Sequence, residues 1–266
     1  MDPALARRVG SSLVLVAAAM LALWLGRWVF AGVVVAGVLV MADEWAKLAI
    51  DVDASTRMVL RILCGILPAM AVLATARHDA IDGVLALVFF VPFAAACMAL
   101  SAGRGSSRAA SGILYLGLPA IALVWLRDRP DGASLVLWLL LVVWSTDVAA
   151  YFVGRALGGP KLAPAISPGK TWAGLAGGML GAALMGALAS RLGAAGAWIS
   201  GAMALLLAAV AQAGDLFESY MKRRAGVKDS GTLIPGHGGA LDRLDGLLFA
   251  APAYAVLVAA RIGIAG

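Results

Sequence analysis

The sequence predicts an all-α, polytopic integral membrane protein, and three observations carry that prediction. Of 266 residues, 62% are hydrophobic and 14% are charged, where a soluble domain carries about a quarter charged. The mean hydropathy is +0.94. Apolar runs of about 18 residues or more recur along the chain, each long enough to cross a hydrocarbon core of about 30 Å. The expected organisation is one integral membrane domain over residues 1–266 without a soluble appendage. About 1–101 form N-terminal helices, and about 112–266 carry the chemistry.

Apolar runs bounded by charges or Gly/Pro-rich breaks give about nine transmembrane helices. They cover roughly 11–26, 28–42, 58–75, 81–101, 112–126, 134–154, 172–190, 195–213 and 244–262. The N-terminal stretch superficially resembles a signal peptide, but a second span follows at once, so it reads as a retained first helix. With the N-terminus inside and the spans alternating, 14 Lys/Arg fall on the inner side, among them Lys47, Arg57, Arg108, Lys170 and Arg243. Six fall outside, including Arg27 and Arg127, and Arg61 is left within a span. That bias favours a cytoplasmic N-terminus in the cytoplasmic (inner) membrane. The net charge of +6 sits in loops between spans, so it carries no nucleic-acid signal. Cys64 and Cys97 lie in apolar runs and read as small buried hydrophobes rather than a disulfide or zinc set. The segment "TWAGLAGGMLGAALMGALAS" reads as a packing helix, because small residues let backbones approach closely.

One block departs from this lipid-like composition. Residues 219–246, "SYMKRRAGVKDSGTLIPGHGGALDRLDG", hold five Lys/Arg, three Asp, one His and six Gly. Asp215 and Glu218 precede it at i, i+3 spacing on one helix face, and Asp242 and Asp245 repeat that spacing at the start of the last span. Asp147 sits within an apolar span, where an ionisable group is costly and therefore a functional candidate. Carboxylates gathered from facing helices suit a hard divalent cation such as Mg²⁺, which takes one or two of them and leaves positions for water and phosphate. Glu218 and Asp229 read equally well as neutralising partners of nearby Arg and Lys. Lys222, Arg223 and Lys228 follow the first acidic pair in a loop, and Arg243 lies inside the second. Cations interleaved with such acids suit a polyphosphate, while Arg224 fits a positive-inside or anionic-lipid contact.

Gly238 and Gly239 follow His237 and precede a helix, so their N–H groups can approach an anion closely. His237 is open to phosphate contact, proton transfer or metal ligation. "SPGKT" at 167–171 ends like a P-loop, but Pro164 stands where the pattern needs Gly and no strand is expected before it. At a helix start, Ser167, Lys170 and Thr171 remain candidate anion contacts. The residues alone thus point to a membrane-embedded, metal-dependent enzyme acting on phosphate groups.

The block resembles the signature of the phosphatidate cytidylyltransferase, or CDP-diacylglycerol synthase, family. Its fixed positions are met by Ser219, Met221, Lys222, Arg223, Lys228, Asp229, Gly231, Ile234, Pro235, His237, Gly238, Gly239, Asp242, Arg243, Leu244 and Asp245. "DVAAYFVGR" at 147–155, "ISPGKTWAG" at 166–174 and "GILYLGLPAIALVWLR" at 112–127 resemble further family segments. Two departures stand out: Ala240 replaces a larger aliphatic, and Gly169 and Ala173 replace the Lys and Glu of "ISPKKTWEG".

The resemblance implies transfer of a cytidylyl group from CTP to phosphatidic acid, giving CDP-diacylglycerol and pyrophosphate in phospholipid biosynthesis. It implies Mg²⁺ on Asp215 and Asp242, with Asp147 and Asp245 as candidates for a second cation or an outer-shell role. Lys222, Arg223, Lys228, His237, the Gly238–Gly239 backbone and Arg243 would take the CTP phosphates, with Ser219 and Asp229 in the same signature. Ser167, Lys170 and Thr171 would touch the lipid phosphate or nucleotide. It further implies a homodimer, bilayer lipid as a partner, and an active site facing the cytoplasm. Two rivals are another CTP-using lipid enzyme, such as a polyprenol kinase, and an ion-coupled transporter.

Overall fold

Long runs of Ala, Leu, Val and Gly have no route to satisfy their backbone polar groups in lipid except internally, and helices do so. The computed structural model describes residues 16–50, 52–102, 106–192, 196–232 and 238–260. Helix α1 is described over 16–24. It is followed by α2 (Arg27–Lys47), α3 (Ala54–Arg77), α4 (Ala80–Ala102), α5 (Ser106–Arg127) and α6 (Gly132–Leu157). Strands β1 (Lys161–Ala163) and β2 (Ser167–Thr171) precede α7 (Trp172–Leu188), α8 (Ala197–Arg224) and α9 (Leu241–Ala259). The protein is all-α and multi-pass.

Among the described residues, six helices are long and apolar enough to cross a membrane: α2 to α6 and α8. Of the nine spans expected, the first (11–26) and the last (244–262) lie partly outside the described residues. Helix α7 has 17 residues, about 26 Å at 1.5 Å per residue. Helix α9 carries Asp242, Arg243 and Asp245 in its first turns. Two helices outrun the apolar stretches that announce them. Helix α2 continues past residue 42 through Asp43, Glu44 and Trp45, and α8 continues past 213 to Arg224. Lys222 and Arg223 are therefore helical rather than in a loop. Their residue types are good helix formers, and Lys222 pairs one turn back with Glu218 at 2.6 Å.

The β1–β2 hairpin is the one non-helical element among the described residues. It is antiparallel, with Lys161 opposite Thr171 and Ala163 opposite Ser167. The expectation that no strand precedes "SPGKT" is thus corrected, because β1 does, and the segment is itself a strand that leads directly into the start of α7. Pro164 still excludes the P-loop.

The chain divides into two compact units, one of residues 1–128 and 224–244, the other of 129–223 and 245–266. In the first, α2 to α5 pack on one another around Leu60, Cys64, Val72, Leu87, Met98, Ile113 and Leu116, all buried. Both cysteines are free thiols, and Cys64 is buried as expected. Antiparallel packing gathers the basic residues at two ends. The α1–α2 turn meets the end of α5 through Arg27–Asp128 at 3.0 Å and the bond from Arg127 Nε to Leu23 O at 2.8 Å. At the other end Trp45 Nε1 donates to Arg108 O at 3.1 Å, and Arg57 donates to Ala49 O at 3.3 Å. Arg61, the cation left within a span, pairs with Asp43 at 3.2 Å.

In the second unit α7 lies on α6 along its glycine face. A Cβ at Gly177 would fall 2.5 Å from Val153, and one at Gly178 would fall 2.9 Å from Thr146 O. Trp138 and Tyr254 stack at 4.9 Å, and Trp138 Nε1 donates to Gly186 O at 3.1 Å. Large apolar side chains such as Leu85, Val88, Phe89, Leu180 and Leu184 lie exposed, while small residues fill the helix contacts. That distribution suits lipid outside and close packing inside.

Candidate active site

The second unit gathers a charged cluster from four elements. Helix α6 contributes Asp147, β2 contributes Lys170, α8 contributes Gln212 and Asp215, and α9 contributes Asp245. Gly214 makes the approach of α8 to α9 possible, since a Cβ there would stand 2.6 Å from Asp245 O. Lys170 Nζ pairs with Asp215 Oδ2 at 2.6 Å, the two side chains 18% and 28% exposed. It also donates to Gln212 Oε1 at 3.1 Å. Gln212, itself buried, reaches Asp147 Oδ1 from Nε2 at 3.4 Å, and Ser219 Oγ stands 3.4 Å from Asp215 Oδ1. Asp215, Asp147 and Lys170 are the charged neighbours felt by Asp245. Lys170 thus serves Asp215, and Gln212 links Lys170 to Asp147. Asp147 is exposed rather than packed among apolar side chains.

The first unit holds a second cluster around the glycine-rich segment. Asp242 Oδ2 accepts from Ser230 N at 2.9 Å, Ser230 Oγ at 3.0 Å and Gly239 N at 2.7 Å. Glu44, 3% exposed, accepts from Ala240 N and Leu241 N, both at 2.8 Å, and shares with Asp242 the single hydrogen of Ser230 Oγ, which stands 3.1 Å from Glu44 Oε2. These bonds close only because the facing residues lack side chains. A Cβ at Gly239 would lie 2.6 Å from both Glu44 carboxylate oxygens, and one at Gly231 would lie 2.7 Å from Oε1. Gly238, at φ +82°, would bring a Cβ to 2.7 Å from Asp242 Oδ2. Glycine is required here by space, and at Gly238 also by conformation.

The remaining expected site residues occupy several settings. Glu218 and Lys222 form a largely buried pair, with side chains 2% and 12% exposed. Arg223 is exposed and donates to Ile166 O at 3.1 Å, tying the end of α8 to the hairpin. Lys228, Asp229 and Arg243 are exposed. Thr171 Oγ1 accepts from Gly174 N at 3.0 Å as the N-cap of α7. Ser167 is half-buried at the start of β2. His237 lies outside the described residues. Glu44 and Gln212 were missed by sequence reasoning. An acid ending an apolar run, in "MADEWAK", was the available signal for Glu44. Nothing in the sequence singled out Gln212.

Among the described residues no group of three His, Cys, Asp or Glu stands ready to enclose a metal ion. That is not the arrangement Mg²⁺ needs. It is held through one or two carboxylates, with water and substrate phosphate completing its octahedron. The donor chemistry in the second unit fits such a partial site, with hard oxygens only and a lysine beside Asp215.

The cytidylyltransferase family matches residues 6–260. A Brucella suis protein named phosphatidate cytidylyltransferase is 56% identical over 151 residues, 56% of this chain and 55% of that one. Proteins of the same name from Pseudomonas aeruginosa and Haemophilus influenzae are similar too. The first is 40% identical over 165 residues, 57% of each chain. The second is 44% identical over 134 residues, 48% of this chain and 46% of that one. The chain thus spans about half the length of the curated relatives it matches. Since the family match runs along nearly the whole sequence, the chain belongs to the cytidylyltransferase family.

Proposed function

We propose that this protein is a CTP:phosphatidate cytidylyltransferase, forming CDP-diacylglycerol and pyrophosphate at the cytoplasmic face of the inner membrane. The observation that carries the reading is the pairing of Lys170 with Asp215 beside Asp147 and Asp245, a polyanion-handling set gathered from α6, β2, α8 and α9. In the reaction a phosphate oxygen of phosphatidate forms a bond to the α-phosphorus of CTP, and the bond from that phosphorus to the bridging oxygen breaks, releasing pyrophosphate. The attacking oxygen is already anionic, so no general base is needed, in keeping with the lack of a nucleophile–base pair in the cluster. Positioning and charge neutralisation supply the catalysis.

Lys170 has three N–H donors. Two serve Asp215 and Gln212, which leaves one to meet a phosphate oxygen. Gln212 holds Lys170 and Asp147 in register. Asp215, with Asp147 or Asp245, would hold Mg²⁺ through two carboxylates, and Asp242 is kept as a metal candidate on the family resemblance. When bound, the ion neutralises developing charge on phosphate oxygens. Exposed Arg223, Lys228 and Arg243, and the Gly238–Gly239 backbone, are proposed for the nucleotide phosphates. The excess of Lys and Arg on the inner loops supports the cytoplasmic orientation. A homodimer is supported by the resemblance alone.

The test uses purified protein in detergent with phosphatidic acid, Mg²⁺ and CTP labelled at the α-phosphate. Label should pass into the lipid with release of pyrophosphate, and EDTA should abolish the transfer. Well-folded protein that moves no label, or that yields CDP and a phosphorylated lipid, would sink this reading.

A further inference from the structure

We infer that Glu44 of α2 is a positioning residue that sets the geometry of Asp242 and the Gly238–Gly239 backbone. Its kinetic consequences rest on the function proposed above, while its structural consequence does not. Glu44 lies 196 residues before Ala240 in sequence, yet it takes all three of its hydrogen bonds from the segment 230–241. Those donors are two backbone N–H groups and a hydroxyl whose one hydrogen is shared with Asp242. A carboxylate buried to 3% exposure is costly unless it is fully hydrogen-bonded. The neighbouring Lys47 and Arg61 pair with Asp43 instead, at 2.6 and 3.2 Å. Among the described residues Glu44 is therefore not half of an ion pair. It is an anchor whose ligands are the first N–H groups of α9, donors that lack partners within the helix.

The anchor reaches Asp242 by one further step. Ser230 Oγ, with a single hydrogen to give, stands 3.1 Å from Glu44 Oε2 and 3.0 Å from Asp242 Oδ2. Gly239 completes the coupling, because its N–H donates to Asp242 at 2.7 Å while its Cα faces Glu44 with no room for a methyl group. Moving Glu44 moves the α9 N-terminus, and with it the carboxylate of Asp242. Glu44 acts through the residues it holds.

Glu44→Gln is the informative substitution. It keeps the shape but turns one acceptor into an NH₂ that must face an N–H donor. Three measurements compare it with wild type and with Asp43→Asn, which removes the adjacent acid. In hydrogen exchange, amides over 238–244 should lose roughly tenfold or more protection while exchange elsewhere is unchanged. In the transfer assay, kcat should fall roughly 10- to 100-fold, as for loss of a charge-assisted hydrogen bond. The Mg²⁺ concentration for half activation should rise severalfold, which a mere loss of folded protein would not produce. Ser230→Ala should give the same pattern more weakly, and the double variant should be less impaired than the product of the two effects. It also serves if Glu44→Gln does not fold. Unchanged exchange over 238–244, or a Mg²⁺ dependence matching that of Asp43→Asn, would overturn the inference. If wild type transfers no cytidylyl group, the proposed function fails while the exchange experiment still decides the role of Glu44.

Discussion

Replacing Lys170 by Met tests the second unit's cluster most directly. The side chain keeps its length and loses its charge, leaving Asp215 without the ammonium now 2.6 Å from Oδ2 and facing the like charge of Asp245. Removing one partner of a fully buried ion pair costs about 3–5 kcal/mol. Here the partners retain 18% and 28% exposure, so partial solvent screening reduces the cost to about 2–3 kcal/mol. That corresponds to a fall in Tm of about 4–10 °C for a chain of this size. The double variant Lys170→Met/Asp215→Asn should recover most of that loss, because it removes the stranded charge, yet it should stay inactive in cytidylyl transfer. Millimolar Mg²⁺ should raise the Tm of Lys170→Met more than that of wild type, the divalent ion taking the place of the missing cation. The assays are thermal unfolding in detergent and label transfer into lipid. A double variant as unstable as the single one would refute the electrostatic coupling. A double variant that retained activity would refute the phosphate role of Lys170.

Three further outcomes follow from local geometry. Gly239→Ala places a methyl group 2.6 Å from both Glu44 oxygens, about 0.8 Å inside ordinary contact. Overpacking of this kind costs about 1–3 kcal/mol, and kcat should fall at least tenfold, measured by the same transfer assay. Gly169→Lys should leave Tm and expression unchanged, because a Cβ there meets nothing within 4 Å. Asp53 caps α3, and hydrogen bonds from the Thr56 side chain and N–H and from Ser55 hold its carboxyl below the usual value of 3.8. Its contribution to stability is therefore complete above about 3.8 and lost as pH falls through the lower folded-state value. Acid-unfolding profiles of wild type and Asp53→Ala should differ near neutrality and converge at the acid end.

How legible this protein was in its sequence depended on the reach of each signal. The membrane class followed from runs of apolar residues, a property of contiguous chain that needs no knowledge of packing. The packing role of the 172–190 segment was equally local, since Gly177 and Gly178 meet α6 because they are small. The charged block was visible as composition, and the i, i+3 spacing of Asp242 and Asp245 follows from one helix. Helix ends were harder. Helices α2 and α8 continue through Asp43–Glu44 and Glu218–Lys222, where hydropathy falls but helical hydrogen bonding and the i, i+4 pair persist.

Sequence by itself therefore determined that the chain is helical, membrane-spanning and equipped with acids, cations and glycines suited to phosphate chemistry. Only the tertiary structure decided which of these groups meet. Lys170 finds Asp215 across 45 positions, and Glu44 finds Leu241 across 197. Apolar burial and helix propensity are summed along a local stretch of chain. The bonds of Glu44 and Lys170 instead depend on how close the packed backbones come, and Gly214 and Gly239 set that closeness through an absent side chain.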